Sequence, residues 1–196
     1  MAPNRIMRRR AMRRALILGA ILTALAGGLV ACGGGSDPAV DKEADVRVLN
    51  EILGRQLAAI DAYGEALPAL RGADLATARA FRAQEQEHAN ETTKILRGLD
   101  GESDPPAEVI EADGLATRRD ALGFLYELES ATIDAELNAV AELTIAWPRP
   151  AIAAMAANQA QRLVLIRRAL GAGPLEAVPE AFETGETPPP EEMMGP

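Results

Sequence analysis

Four stretches of the chain carry apolar residues at alternating spacings of three and four, which lines up one face of an α-helix. Over 41–67 that face reads Leu49, Leu53, Gln56, Ile60, Tyr63 and Leu67. Over 75–98 it reads Ala78, Phe81, Glu85, His88, Thr92 and Ile95. Over 115–145 it reads Leu122, Leu125, Glu129, Thr132, Glu136, Val140 and Leu143. A fourth helix is predicted over 151–170, closed by Gly171. Pro68 and Gly72 end the first helix, Asp74 is placed to cap the second, and Trp147-Pro148-Arg149-Pro150 separates the third from the fourth. No run alternates apolar and polar residues long enough to suggest a sheet. The predicted fold class is all-α, a four-helix bundle, and three of its stripes are interrupted by polar groups.

Connection lengths narrow the topology. A few residues join helices one and two, and likewise three and four, so each pair is expected to form an antiparallel hairpin. The link between the hairpins, "LDGESDPPAEVIEADG", is much longer. At about 3.3 Å per extended residue it can traverse a helix that rises about 1.5 Å per residue. Two antiparallel hairpins joined by a long crossover are therefore expected. Composition agrees, because 48% of the residues are hydrophobic but only 3% are aromatic. Alanine-rich, aromatic-poor interiors suit closely packed helices better than sheets. The bundle is assigned to 40–185, followed by an acidic, proline-rich tail at 186–196 that is expected to be disordered.

Residues 1–31 are set apart by charge. "MAPNRIMRRRAMRR" is purely basic and "ALILGAILTALAGGLVA" is uncharged and apolar, the two parts of an export signal peptide. The apolar run is short for a spanning helix and has no stop-transfer flank. Leu29-Val30-Ala31-Cys32 resembles the lipobox of bacterial lipoproteins, which implies lipidation of Cys32, the only cysteine, ahead of a flexible tether over 32–39. The expected localisation is exported and lipid-anchored to the outer face of the cytoplasmic membrane. Arg13-Arg14 leaves Sec and twin-arginine export both open. Residues 1–31 hold six of the 20 basic residues and no acidic ones, so the remainder has 14 basic against 29 acidic residues, a net charge of −15. Such a body repels nucleic acid and anionic headgroups, so no nucleic-acid partner is expected and the membrane link runs through the lipid. A protein partner of unknown identity and a homo-oligomer both remain open.

The polar interruptions carry the candidate chemistry. "AAIDAYGEAL" in helix one and "SATIDAELNAV" in helix three share Ile-Asp-Ala at an offset of 73 residues, and the same offset relates Gly98 to Gly171. In that register Gln56 matches Glu129, Glu85 matches Asn158 and His88 matches Gln161. The hairpins then read Gln…Glu-x-x-His and Glu…Asn-x-x-Gln. The i, i+3 spacing puts both members of each motif on one helix face.

The two hairpins, "LNEILGRQLAAIDAY" at 49–63 and Val178-Pro179-Glu180-Ala181-Phe182 after helix four resemble bacterial ferritin-like proteins of the exported type. The resemblance covers about residues 45–185. It implies a ferritin-like bundle with a di-iron centre, in which two helices each supply a glutamate and the other two each supply Glu-x-x-His. Carried over residue by residue, Glu85, His88 and Glu129 survive as metal ligands, whereas Gln56, Asn158 and Gln161 stand at degenerate ligand positions. Amide oxygens supply no negative charge to offset two buried cations. The reading preferred on these residues is a metal-free hydrogen-bonded network in a non-enzymatic envelope binding or scaffold module, with no cofactor. The alternative is one weakly bound iron or manganese ion at Glu85, His88 and Glu129, assisted by Glu136, with oxidase or iron-handling activity. No catalytic residue of another kind is assigned. Cys32 is committed to the lipid, and neither a phosphate-binding glycine loop nor a Ser/His/Asp arrangement can be assembled.

Overall fold

The structure, a computed structural model, describes residues 40–179. The proposed signal peptide at 1–31, lipidated Cys32 with its tether and the tail at 186–196 lie outside the described residues, as do the last residues of the segment assigned to the bundle. Four long helices follow one another: α1 (Lys42–Ala66), α2 (Gly72–Gly98), α3 (Arg118–Glu142) and α4 (Arg149–Leu170). A 3₁₀ turn, Leu67–Ala69, closes α1. Among the described residues there is no strand, and no helix is long and apolar enough to cross a membrane.

Local chemistry sets the helix ends. The Asp41 side chain accepts from the Ala44 amide at 2.9 Å, capping α1. Thr117 and Asp120 form a reciprocal capping box, so α3 starts at Arg118 instead of at 115. Asp74 does not cap α2. The helix begins two residues earlier, from Gly72 (φ 55°), and Asp74 pairs with Arg118 at 2.6 Å. Gly171 closes α4 in the left-handed region (φ 112°), where a Cβ is disfavoured.

Contacts at the helix ends fix the directions. Asp45, near the start of α1, accepts from the backbone amides of Thr144 and Ile145 beyond the end of α3, both at 2.7 Å. α1 and α3 are therefore antiparallel. The Asp74–Arg118 pair joins the starts of α2 and α3, which run parallel, so the crossover traverses the bundle from one end to the other. That segment is strapped to α1. Asn50 donates to the Glu102 carbonyl at 3.0 Å and accepts from the Asp104 amide at 2.9 Å. A Cβ on Gly54 would lie 2.7 Å from the Pro106 carbonyl oxygen, so glycine is what admits the strap there.

The interior is layered. One apolar cluster gathers Tyr63, Ala66, Leu70, Phe81, Leu122 and Leu125. A second, towards the other end, gathers Leu49, Leu53, Ile95, Leu96, Leu143 and Ile152. Between them all four helices turn polar or charged side chains inward.

Candidate functional site

The middle layer is built from Gln56 and Tyr63 on α1, Glu85 and Thr92 on α2, Glu129 and Glu136 on α3, and Gln159 and Arg162 on α4. Each is at most 2% exposed. Spacings of seven on α1, α2 and α3, and of three on α4, put each pair on one inward face. Polar groups buried this completely require partners, and most of these partners lie on other helices.

Arg162 is the hub. Its Nη1 donates to Glu85 Oε1 and, at 3.1 Å, to Glu129 Oε1. Its Nε donates to Gln84 Oε1 at 3.0 Å and its Nη2 to Asn158 Oδ1 at 2.9 Å. The guanidinium lies over the Phe81 ring, 5.5 Å from the centroid. The Tyr63 hydroxyl donates to Glu129 Oε1. Glu136 Oε1 accepts from the amides of Gln56 and Gln159, both at 3.4 Å, while Gln159 also reaches Glu85 Oε1 at 3.2 Å. Thr92 completes the ring by donating to Gln56 Oε1 at 2.9 Å.

Acceptors outnumber donors in this layer. Glu85 Oε2, Glu129 Oε2, Glu136 Oε2 and Gln159 Oε1 have no hydrogen-bond donor in the protein. The titration behaviour follows. Burial, reinforced by the charge of Glu85, pushes the Glu136 carboxyl up to about 8. Burial raises Glu129 to about 7, although Arg162 pulls against it. Burial also works on Glu85, but His88 and Arg162 outweigh it and hold that carboxyl below the usual carboxylate range. Glu129 and Glu85 likewise outweigh burial at Arg162 and keep the guanidinium charged. Burial and the neighbouring Glu129 raise the Tyr63 phenol well above its ordinary value, so Tyr63 acts as a donor. Near neutral pH the layer therefore contains one cation, one firm carboxylate and two carboxyls that retain protons to unusually high pH.

The sequence-nominated residues fall into three groups. Gln56, Glu85 and Glu129 come together in the buried layer. His88 is half-buried at its edge, with Nδ1 3.4 Å from Glu85 Oε1. Asn158 is half-buried and touches the layer only through Arg162, while Gln161 is exposed. The register of α4 is thus corrected by one residue. Gln159 and Arg162, not Asn158 and Gln161, are the inward counterparts of Glu85 and His88. The glycine match that supported the offset of 73 is not structural. Gly98 is the last residue of α2, with no positive φ, and the left-handed residue after that helix is Asp100 (φ 50°), whereas Gly171 is itself the left-handed cap of α4. The apolar positions of α4, Ile152, Met155, Leu163 and Ile166, carried the correct register, since residues 159 and 162 continue their three-four spacing.

These residues do not fit the di-iron centre that the resemblance implies. α4 supplies an amide and a guanidinium where a carboxylate and an imidazole are needed. The guanidinium lies between Glu85 and Glu129, the two carboxylates that a metal ion would share. Among the described residues, no three His, Cys, Asp or Glu side chains are grouped so as to hold a metal ion. The buried layer pairs charges and hydrogen bonds across all four helices. In comparisons with protein-family models, curated proteins and solved structures, the chain matches none.

Proposed function

We propose that the chain is an exported, lipid-anchored envelope protein whose ferritin-like bundle serves as a non-enzymatic binding or scaffold module. One observation carries the metal-independent part of this reading. The buried carboxylates Glu85 and Glu129 already share a positive partner, Arg162, which belongs to the chain itself. The ferritin-like part draws support from the antiparallel α1–α3 pair, the parallel α2–α3 pair and the polar layer at mid-height. The anchored part draws support from the sequence around Cys32 alone. The acidic body, at −15 without residues 1–31, disfavours anionic partners and favours neutral or basic protein surfaces.

The test combines metal content with thermal stability. After expression in medium supplemented with iron and manganese, the purified full-length chain is expected to carry no stoichiometric metal. Its melting midpoint is expected to be the same in chelator and in added Mn²⁺ or Fe²⁺, because a ligand selective for the folded state must raise stability. Stoichiometric metal that is lost in His88→Ala would overturn the metal-independent reading. For the anchor, Cys32→Ser should move the protein from the membrane fraction to the soluble exported fraction, and no change in fractionation would refute lipidation at Cys32.

A further inference from the structure

We propose that the Arg162 guanidinium is the resident cation of the buried layer, serving in place of a metal ion, and that deleting it creates a divalent-cation site. The proposal rests on the metal-independent reading above and deepens it by naming the cation. Burying a guanidinium is costly unless its charge is matched, and an apolar residue would be the cheaper filling if no carboxylates were present. Here the matching charges come from two different helices. Glu85 on α2 and Glu129 on α3 converge on the same Nη1 nitrogen of an α4 residue, so one cation ties three helices together. The rest of the fork is also occupied. Gln84 and Asn158 take Nε and Nη2, and Phe81 covers the ring-like face. Lysine offers no such planar fork and could not reproduce this arrangement.

The groups around Arg162 have coordination capacity left over. Glu85 Oε2, Glu129 Oε2, Glu136 Oε2 and Gln159 Oε1 are all deeply buried and lack donors. His88 Nδ1 lies beside this set, 3.4 Å from Glu85 Oε1. Removing the guanidinium would leave Glu85 and Glu129 facing each other without a counter-charge, next to an imidazole. Carboxylate oxygens with one imidazole nitrogen form a donor set suited to Mn²⁺, Fe²⁺ or Co²⁺. Truncation to alanine also frees the volume such an ion needs.

The experiment compares the full-length wild type, Arg162→Ala and Arg162→Ala/His88→Ala in chelator and in excess Mn²⁺ or Co²⁺. Arg162→Ala is expected to melt well below the wild type in chelator and to regain much of the loss with metal. In Co²⁺ it should develop visible d–d absorption that the double variant lacks. An Arg162→Ala protein that melts like the wild type in chelator, or that binds no Co²⁺ when folded, would overturn the proposal alone. Stoichiometric metal in the wild type would overturn the metal-independent reading along with it. Should Arg162→Ala fail to fold, Glu85→Gln/Glu129→Gln/Arg162→Met removes charge from both sides at nearly constant volume. That variant is expected to fold without metal. If it too fails, the role of Arg162 is not to balance the charge of the two carboxylates, and the proposal falls.

Discussion

Glu136→Gln isolates the energetic consequence of a carboxyl buried with too few donors. Glu136 is fully buried, and its Oε1 already accepts from two amides, a role that a glutamine oxygen can take over. In the unfolded chain the carboxyl ionises near 4.5, whereas in the fold it retains its proton up to about 8. Between those values the native state binds the extra proton, so stability falls as pH rises and levels off above about 8. At roughly 1.4 kcal/mol per pH unit, the penalty reaches about 3 kcal/mol at pH 7 and about 5 kcal/mol at pH 8. Glutamine is uncharged in both states and avoids the penalty. Glu136→Gln should therefore be about 3 kcal/mol more stable than the wild type near pH 7, a rise of roughly 10 °C in melting midpoint for a domain of this size, with the gain vanishing near pH 4. Urea denaturation at about pH 4.5, 6, 7 and 8.5 reads this directly. A residual downward slope up to about pH 7 should persist in the variant, because Glu129 is raised to about 7 by the same burial. A variant no more stable than the wild type at pH 7, with an unchanged pH profile, would refute the reasoning.

Two further positions probe the frame around the layer, and one combined replacement probes the layer itself. Asp45→Ala strands the Thr144 and Ile145 amides and should lower stability by about 3 kcal/mol in urea denaturation, with Asp45→Asn losing less. Gly54→Ala should destabilise, against the gain of up to about 1 kcal/mol that alanine brings to an ordinary helix interior. Its Cβ would push on the Pro106 carbonyl, and hydrogen exchange should report faster opening at the Asp104 amide that Asn50 holds. Replacing Glu85, Glu129 and Arg162 together by Leu, Leu and Met should give a bundle at least as stable as the wild type, because burying matched charges contributes little net stability. A loss of several kcal/mol in that variant would show that the ion pairs are themselves strongly stabilising.

The helices and their topology were legible because both depend on local or nearly local information. Three-four spacing predicts each helix within a few residues, and a long linker between two short ones predicts a crossover. The inward positions of α1, α2 and α3 were equally readable, since Leu49, Phe81 and Leu122 mark the face that Gln56, Glu85 and Glu129 share. α4 resisted for a physical reason. Alanines at 151, 153, 154, 156, 157 and 160 lie on every side of it, so its apolar stripe has little contrast. Register copied from the first hairpin filled that gap and was off by one. Arg162 was harder still. An isolated arginine reads as surface charge because arginine is almost never fully buried unless paired, and its partners stand 77 and 33 residues away on other helices.

That same low contrast gives the polar layer a reason to exist. Helices coated with alanine present similar small surfaces at successive turns, so sliding one against another by a turn changes the buried apolar area little. The polar layer is not tolerant in this way. A slip of α4 by one turn would carry Arg162 about 5 Å along the axis, away from Glu85 and Glu129, and leave the guanidinium and the Glu85 carboxylate buried without partners. A slip of α1 would likewise separate Tyr63 from Glu129 and Gln56 from Glu136 in a single step. Leaving a buried charge unpaired costs about 3–5 kcal/mol, even where the intact pair adds little. The layer therefore discriminates among registers far more than it stabilises the correct one. This accounts for an ion-paired centre at mid-height, where all four helices meet between the two apolar clusters.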